Sequence, residues 1–312
     1  MIASHALAQQ TGSGKDSEPS IGAFDETSLA TPTGHDASVS VASYTYSEPG
    51  AQSISIHGAK LGGEYTGTFR LSERGRWFGT ADVRGMNGAV TYDGWCSPFV
   101  LVPSIESPNG YELDIGDASA CSETGDKDWY LEGRMLVGKD VIRRRWAWSP
   151  YSGVGLRHLS NGTSGVPGYR IDDALYLPLG VGARTMVAPR KAVSIDVEFD
   201  VLLHGWQHTH DSALGGGDVP ATGSTPAFTV DGFSDVSFSQ ARGGALRVSG
   251  KYPLATHVYV EPYYIYWNVK ASPVSDETVT YTVNHVTAQE LLGAYEPDNT
   301  THEFGVKLGF QF

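Results

Sequence analysis

The segment 304–312 alternates strictly between apolar and polar positions. The apolar parity holds Phe304, Val306, Leu308, Phe310 and Phe312, and glycine, charged or amide residues hold the other. Because successive side chains of a β-strand point to opposite faces, this pattern predicts a strand with one apolar face. In a transmembrane barrel that face contacts lipid and the polar face lines the lumen, whereas a soluble barrel turns its apolar face inward.

The composition excludes some classes of partner and of membrane segment. Lys and Arg together number 22 against 35 Asp and Glu, which leaves a formal net charge of -13. This balance argues against a nucleic-acid partner, which needs a basic surface. No apolar run approaches the roughly 20 residues that a membrane-spanning helix requires, so any membrane insertion would have to use strands.

Alternating segments recur along most of the chain and predict about ten strands, each long enough to cross a bilayer at a tilt. The most regular lies at 193–201, where aliphatic and aromatic residues alternate with serine, aspartate and glutamate. Short turns at one end and long loops at the other are typical of outer-membrane barrels. The predicted fold class is therefore all-β, an antiparallel up-and-down transmembrane β-barrel. Its short turns are predicted at 72–76, 140–145, 188–191 and 250–255.

The first part of the chain differs in composition from the rest. Ala6-Leu7-Ala8 before Gln9 has the small-x-small form of a signal-peptide cleavage site, although no charged region or long apolar region precedes it. The following residues are rich in Gly, Ser, Thr, Asp and Pro, a composition typical of disorder. We therefore predict a signal-peptide remnant and disordered linker at 1–36 and the barrel at 37–312. An ordinary flexible N-terminus fits residues 1–10 equally well.

The chain has two cysteines, Cys96 and Cys121, and both fall in one segment that is predicted to be a loop of the barrel. Two cysteines placed in this way predict one disulfide and an oxidising compartment. The alternative is a pair of free thiols.

Several short motifs are similar to those of known outer-membrane proteins. The terminal aromatic Phe312, preceded by alternating aromatics, resembles the assembly signal of bacterial outer-membrane β-barrel proteins. The chain also resembles a loosely described Gram-negative family of such barrels without an established activity. The motifs that carry this resemblance lie at 153–157, 168–170, 176–180 and 296–300. The resemblance implies a location in the bacterial outer membrane and contact with its lipid and lipopolysaccharide. It also implies recognition by the barrel-assembly machinery through the Phe312 strand, and it implies no activity.

One motif is similar to a catalytic one. His158-Leu159-Ser160-Asn161, with Asp172 further along, resembles the His-x-Ser-Asn motif of the lipid A 3-O-deacylases, which are outer-membrane barrels with a Ser/His/acid triad. A serine nucleophile needs a base, and the base needs an orienting acid. His158 and Ser160 share one face of a strand, on the lipid-facing parity, whereas the parity of Asp172 points the other way. The alternative is a His and a Ser in the interfacial girdle with no catalytic role.

A second set of candidates lies at the end of the predicted strand that contains 193–201. His204, His208, His210 and Asp211 offer the His-x-His spacing that suits a metal on an extended chain. Loop histidines of this kind usually bind nothing, so no metal site is predicted here.

Charged residues of both signs occupy the inward parity of several predicted strands. The structural interpretation is a ladder of ion pairs that fills the lumen and has no further function. The functional interpretation is a pore lining or a solute site, in a barrel whose strand number gives a narrow lumen. The predicted lumen residues are Glu132, Arg134, Arg157, Arg184, Asp196, Glu198, Asp200 and Arg242.

These patterns predict a non-enzymatic outer-membrane barrel without a cofactor, which acts as a narrow pore or as a surface-exposed binding protein. The first alternative is a lipid A deacylase-like esterase that uses Ser160, His158 and Asp172. The second is a soluble periplasmic barrel that binds a small ligand. The direction of the apolar parity and the openness of the lumen distinguish between these hypotheses.

Overall fold

The computed structural model describes residues 29–49, 53–96, 98–163, 166–188, 191–223 and 225–312. The predicted signal-peptide remnant and most of the predicted linker, residues 1–28, lie outside the described residues. No helix among the described residues is long and apolar enough to span a bilayer. A short 3-10 helix, Asp211–Ala213, interrupts the strands. Within the described ranges the strands are β1 (Gly34–Glu48), β2 (Ile54–Ser72), β3 (Trp77–Cys96), β4 (Phe99–Pro103), β5 (Tyr111–Ile115), β6 (Ser119–Lys139), β7 (Val141–Arg143), β8 (Trp146–Thr163), β9 (Val166–Ala188), β10 (Lys191–Thr209), β11 (Gly217–Val219), β12 (Phe228–Phe233), β13 (Ser237–Gln240), β14 (Gly243–Pro253), β15 (Val258–Val269), β16 (Ser275–Val283), β17 (Val286–Ala294) and β18 (Asn299–Gln311).

Ten of these strands close into one antiparallel ring, in the order β1-β2-β3-β6-β8-β9-β10-β14-β15-β18. β18 then pairs with β1, from Asp36 opposite Gln311 to Ser47 opposite Thr300. A closed ring leaves no edge strand with unpaired backbone groups, which the interior of a bilayer could not satisfy. The predicted antiparallel up-and-down barrel of about ten strands is confirmed.

The outer wall of the ring is apolar and the inner wall is polar. In β18, Phe304 and Leu308 are 59% and 52% exposed, whereas Glu303 and Lys307, which directly precede them, are 3% and 8% exposed. A soluble protein buries its large apolar side chains, so an apolar surface of this extent needs an apolar environment. The barrel therefore spans a membrane, and the soluble periplasmic alternative is wrong. The exposed apolar side chains form the outward belt, which includes Val41, Leu61, Val83, Met135, Leu156, Leu179, Val197, Leu246 and Leu308.

The two ends of the barrel differ in their connections. At one end, which we call the turn end, short segments join β2 to β3, β9 to β10 and β14 to β15, close to the positions predicted. The connection from β6 to β8 at that end contains the small strand β7, which pairs with β8. At the opposite end, which we call the loop end, longer insertions follow β3, β10 and β15. The predicted asymmetry is therefore present in part, because two of the five connections at the loop end, β1 to β2 and β8 to β9, are short as well.

The long insertions at the loop end are themselves folded, although the sequence predicts them as loops. β4 pairs with β5, and β11, β12, β16 and β17 form a four-stranded sheet. We call these six strands the head. A single apolar core made of residues from both sheets holds the head together, and it contains Leu101, Leu113, Phe228, Val230, Val279, Tyr281, Val283 and Ala288.

The predicted disulfide is present where the head joins the barrel. Cys96 ends β3, and Cys121 lies near the start of β6, where the pairing of these two strands begins. The bond closes the base of the connection that carries β4 and β5.

Val197→Arg tests the membrane assignment. Val197 lies in the outward belt with 41% of its surface exposed, between Val181 and Val248 on the neighbouring strands. We expect Arg to destabilise the folded barrel by about 2–4 kcal/mol at mid-membrane, because it places a charge against lipid. Urea unfolding of the protein refolded in lipid vesicles measures this loss, and Val197→Leu is the matched control. Equal stability of Val197→Arg and the control would contradict the membrane assignment.

Candidate functional site

Buried ion pairs fill the middle of the lumen. They arise because the polar parity of each strand faces inward, so that opposite charges from distant strands meet across a narrow barrel. We call this group the lumen network. Its charged members are Lys60, Asp82, Arg84, Asp128, Glu132, Arg134, Glu198, Asp200, Arg247 and Glu303.

Arg247 of β14 lies at the centre of the network. Its Nε donates to Asp200 at 2.6 Å, and its Nη1 donates to Glu132 at 2.9 Å. The hydroxyl of Tyr176 also donates to Glu132, at 2.6 Å. One guanidinium therefore joins three strands, because Asp200 lies on β10 and Glu132 on β6. The fixed fork of donors suits such bidentate contacts with carboxylates.

Arg134 forms a second bridge next to the first. Its Nε donates to Asp82 at 2.9 Å, and its Nη1 donates to Glu198 at 2.7 Å. Glu198 in turn lies 3.4 Å from the Nε of Arg247, so the two arginines share a carboxylate. The charges of these groups are therefore compensated by one another inside the barrel, at the inner end of a cavity that they line.

Glu303 of β18 accepts hydrogen bonds from three side chains. It pairs with Arg84 of β3, and it accepts hydrogen bonds from the hydroxyls of Tyr130 and Tyr263, both at 2.9 Å. Arg84 also lies over the ring of Tyr263, with its guanidinium carbon 4.4 Å from the ring centroid. Such stacking adds to the stability of a desolvated cation.

Lys60 and Asp128 close the network on the side of the loop end. Both side chains are fully buried, with 2.5 Å between Nζ and Oδ1. The ammonium group lies over the ring of Tyr44 at 3.3 Å from the centroid. Asn161 donates to the other oxygen of Asp128 at 2.7 Å. Every charge of this pair is therefore matched by a partner within the lumen.

The lumen network separates two cavities. The turn-end cavity has a volume of about 270 Å³ and is lined by residues such as Asp36, Asp196 and Lys251. The loop-end cavity, which we call the mouth cavity, has a volume of about 290 Å³. Between them lies a small cavity of about 10 Å³ among Tyr130, Glu132 and their neighbours, and Lys60, Asp128 and Asp200 beside it are fully buried. The lumen is therefore closed at its middle.

The described start of the chain occupies part of the turn end. Leu29 is fully buried, and its carbonyl oxygen accepts a hydrogen bond from Arg184 at 2.9 Å. The backbone N–H of Thr31 donates to Asp140 at 2.8 Å, and Arg70 donates to the carbonyl oxygen of Thr31 at 2.8 Å. This segment narrows the lumen below the network.

The structure places most of the predicted lumen residues inside the barrel. Glu132, Arg134, Glu198 and Asp200 belong to the lumen network. Arg157 lies over the rings of Tyr130 and Trp267, at 4.8 and 5.6 Å from the centroids. Arg184 and Asp196 line the turn-end cavity.

Arg242 is the exception, and its predicted position was wrong. It is exposed and lies between β13 and β14, outside both strands. β13 and β14 are two strands that pair with different parts of β10, and Arg242 falls in the break between them. Arg247, on the second of them, is the arginine that faces the lumen.

The mouth cavity combines apolar and acidic side chains. Ile54, Ile56 and Val90 line one part of it, and Glu123 and Asp126 line another. Apolar walls with a few charged groups are typical of small-molecule sites.

The mouth cavity also contains one arginine whose charge is compensated. Arg170 lies 3.4 Å from carboxylate oxygens of both Glu48 and Glu296. The hydroxyl of Tyr46 donates to the same two carboxylates, at 2.8 Å in each case. The charge of Arg170 is therefore matched by these carboxylates, and Asp126 is a separate acidic group of the lining.

The predicted catalytic residues lie at the loop end of β8 and of its neighbour β9, on two different faces. His158 is on the outer wall, where its Nδ1 lies 2.7 Å from an oxygen of Asp173, its direct neighbour across the strands, and its ring packs against Trp129. Asp172 pairs with the buried Leu159 and faces the lumen, as its parity predicts. Among the described residues, no hydrogen bond links His158 to Ser160, which is 5% exposed. The structure thus brings together His158 and Asp173, and not Ser160, His158 and Asp172.

The histidines at the end of β10 all follow an irregularity in the strand, which lies between Leu202 and His204. His204 packs edge-on against Trp206, with 4.3 Å between ring centroids, on the outer wall. His208 and His210 follow Trp206 in the chain, with 4.8 Å between their ring centroids. Asp211 is buried and accepts a hydrogen bond from Tyr169 at 2.5 Å, so it is turned away from these imidazoles.

No protein-family model matches the chain. No curated protein matches it in sequence. Among solved structures, the outer membrane protease OmpT from Escherichia coli is 10% identical, with 90% of this chain and 98% of that chain covered and a TM-score of 0.47. The translocator domain of the autotransporter NalP from Neisseria meningitidis is 9% identical, with 92% and 91% covered and a TM-score of 0.35. The toluene transporter TbuX from Ralstonia pickettii is 11% identical, with 90% of each chain covered and a TM-score of 0.31.

These likenesses carry no information on activity, because the identities and TM-scores are low. The class of protein follows from the chain itself. A closed antiparallel β-barrel with an outward apolar belt, short turns at one end and long insertions at the other is an integral protein of the bacterial outer membrane.

Proposed function

We propose that this protein is a non-enzymatic outer-membrane barrel with a closed lumen, which binds a small ligand in its mouth cavity at the cell surface. The observation that carries the proposal is the lumen network. Lys60, Asp128 and Asp200 are fully buried within it, so no continuous water-filled path passes these side chains. Of the two non-enzymatic functions considered above, a surface-exposed binding protein fits this arrangement better than a narrow pore.

The chemistry of the mouth cavity suggests the class of ligand. Its volume of about 290 Å³ is enough for a small molecule, at the lower end of typical sites. Ile54, Ile56 and Val90 favour an apolar body, and Asp126 favours a cationic group. An amine with an apolar body meets both requirements.

An esterase is supported less well. The contact between His158 and Asp173 resembles the base and acid of a triad, and it lies on the outer wall near the loop end. A nucleophile, however, has to lie within hydrogen-bonding reach of the base. Ser160 is buried and makes no such bond in the part of the chain that the structure describes. Packing of His158 against Trp129 is a sufficient reason for a histidine at this position.

Planar-bilayer recordings test whether the lumen is closed. We expect no steady ion current through the wild-type protein, because the lumen network blocks the path. The double variant Glu132→Ser with Arg247→Ser keeps the net charge and removes two large side chains from the centre of the network, so we expect channel events. The matched control, Asp36→Ser with Lys251→Ser, removes an ion pair from the turn-end cavity and is expected to stay closed. A steady current through the wild type would contradict the proposal.

Fluorescence titration with dansylcadaverine, an apolar fluorophore with a primary amine, tests the mouth cavity. We expect saturable binding that Ile56→Trp abolishes by filling the cavity. Asp126→Asn should weaken it by about tenfold, the effect of losing one ion pair worth roughly 1.4 kcal/mol. Asp93→Asn is the control, because Asp93 is half exposed and lies beside His57, outside the cavity lining. Equal binding by the wild type and Ile56→Trp would contradict a ligand site in the mouth cavity.

A further inference from the structure

An irregularity in β10 turns two histidines toward the same side of the barrel wall. The pairing of β10 with β9 shifts its register between Leu202 and His204. Before the shift Asp200 and Leu202 are buried, and after it Gln207 and Thr209 are buried. A bulge of this kind exchanges the two faces of a strand. His208 and His210 therefore leave the lumen parity and lie together outside the lumen, at the loop end.

A third side chain reaches these histidines from another part of the chain. β13 pairs with the last residues of β10, and Ser237 lies opposite His208. This pairing brings Asp235, two residues earlier, next to His210, with 3.8 Å between Oδ2 and the Nδ1 of His210. One potential ligand atom from each of His208, His210 and Asp235 lies within 4.8 Å of the other two.

Neighbouring groups already hold two of the three side chains in place. The Oγ of Ser237 lies 2.8 Å from the Nδ1 of His208, which leaves the Nε2 of that ring for a ligand. The backbone N–H of Ser212 donates to the Oδ1 of Asp235 at 2.9 Å, which leaves Oδ2 on the side of His210. Metal-binding histidines and carboxylates are usually oriented through their second polar atom in this way.

We propose that His208, His210 and Asp235 form a binding site for a divalent transition-metal ion. Two imidazoles and one carboxylate suit Zn²⁺, Co²⁺, Ni²⁺ or Cu²⁺, whereas Mg²⁺ and Ca²⁺ prefer oxygen ligands. Ligand atoms of a tetrahedral zinc site lie roughly 3.3 Å apart, given Zn–N and Zn–O distances near 2 Å. The present separations reach 4.8 Å, so closure around the ion needs a side-chain rotation on the order of 1 Å.

The position of the site makes it open to ions from outside. The side chains of His210 and Asp235 are 38% and 34% exposed. Three protein ligands leave further coordination positions for water or for an external group. The ion would join the end of β10 to the segment before β13, and so would fasten the connection that carries β11 and β12 to the barrel rim.

The test uses the full-length barrel refolded in detergent without a histidine tag. Zn²⁺ is titrated by calorimetry and Co²⁺ by its visible absorption. We expect one equivalent of each ion, with absorption that shows nitrogen and oxygen ligands. His208→Ala, His210→Ala and Asp235→Asn should each weaken Zn²⁺ binding by at least about tenfold, and Ser237→Ala should weaken it by about 10- to 100-fold.

Two other histidines serve as matched controls. His204→Ala removes an imidazole from the same strand outside the cluster, and His158→Ala removes one that already contacts a carboxylate. Both should bind Zn²⁺ as the wild type does. Heat-modifiable migration on gels checks that each variant is folded. The absence of saturable Zn²⁺ binding would overturn the proposal, as would an affinity unchanged in His208→Ala and His210→Ala or reduced equally in His204→Ala.

Discussion

The pairing of charges inside the lumen is the interaction on which the rest of the barrel depends. The outer wall has to be apolar because it meets lipid, and strand geometry then places the other residues of each strand inside. In a wide barrel, water solvates those residues. In a barrel of about ten strands the lumen is narrow, so opposite charges meet across it and replace the water. Lys60 with Asp128, and Arg247 with Glu132 and Asp200, are results of this constraint.

The closed lumen places the functional surfaces at the loop end. The mouth cavity lies above the lumen network, and the head is built at the same end from insertions that follow β3, β10 and β15. The disulfide between Cys96 and Cys121 holds the first of these insertions at its base. The cluster of His208, His210 and Asp235 lies at the two ends of the insertion that carries β11 and β12, where it leaves β10 and where it rejoins the barrel before β13. Binding chemistry is therefore concentrated on the part of the protein that faces away from the short turns.

The features that could be predicted from the sequence are those that depend on local alternation. The parity of Phe304, Val306 and Leu308 predicts the lipid face correctly, and the same rule places Glu198 and Asp200 in the lumen. The head could not be predicted, because its core joins Leu101 to Phe228 and Val279, residues that are far apart in the chain. Arg242 lies in the break between β13 and β14, just before Gly243-Gly244, where the alternation changes parity. A parity count that restarts after Gly243-Gly244 selects Arg247 instead.

The candidate sites depend on contacts between distant segments, which alternation does not reveal. The spacing of His208 and His210 is visible in the sequence, but Asp211, the neighbouring carboxylate, is buried against Tyr169. Asp235 is the carboxylate that lies beside His210 instead, because β13 pairs with β10. In the same way, cross-strand pairing puts Asp173 beside His158 and turns Asp172 toward the lumen.

A double-mutant cycle on Lys60 and Asp128 tests most directly whether buried pairing sustains the barrel. Lys60→Met and Asp128→Asn each remove one charge, and Asp128→Asn keeps a carbonyl oxygen for Asn161. We expect each single variant to lower the free energy of unfolding in vesicles by about 3–5 kcal/mol, because each leaves a buried group without its partner. The double variant should lose less than the sum by roughly 1–3 kcal/mol. Losses that add within about 0.5 kcal/mol would contradict the central role of the paired charges.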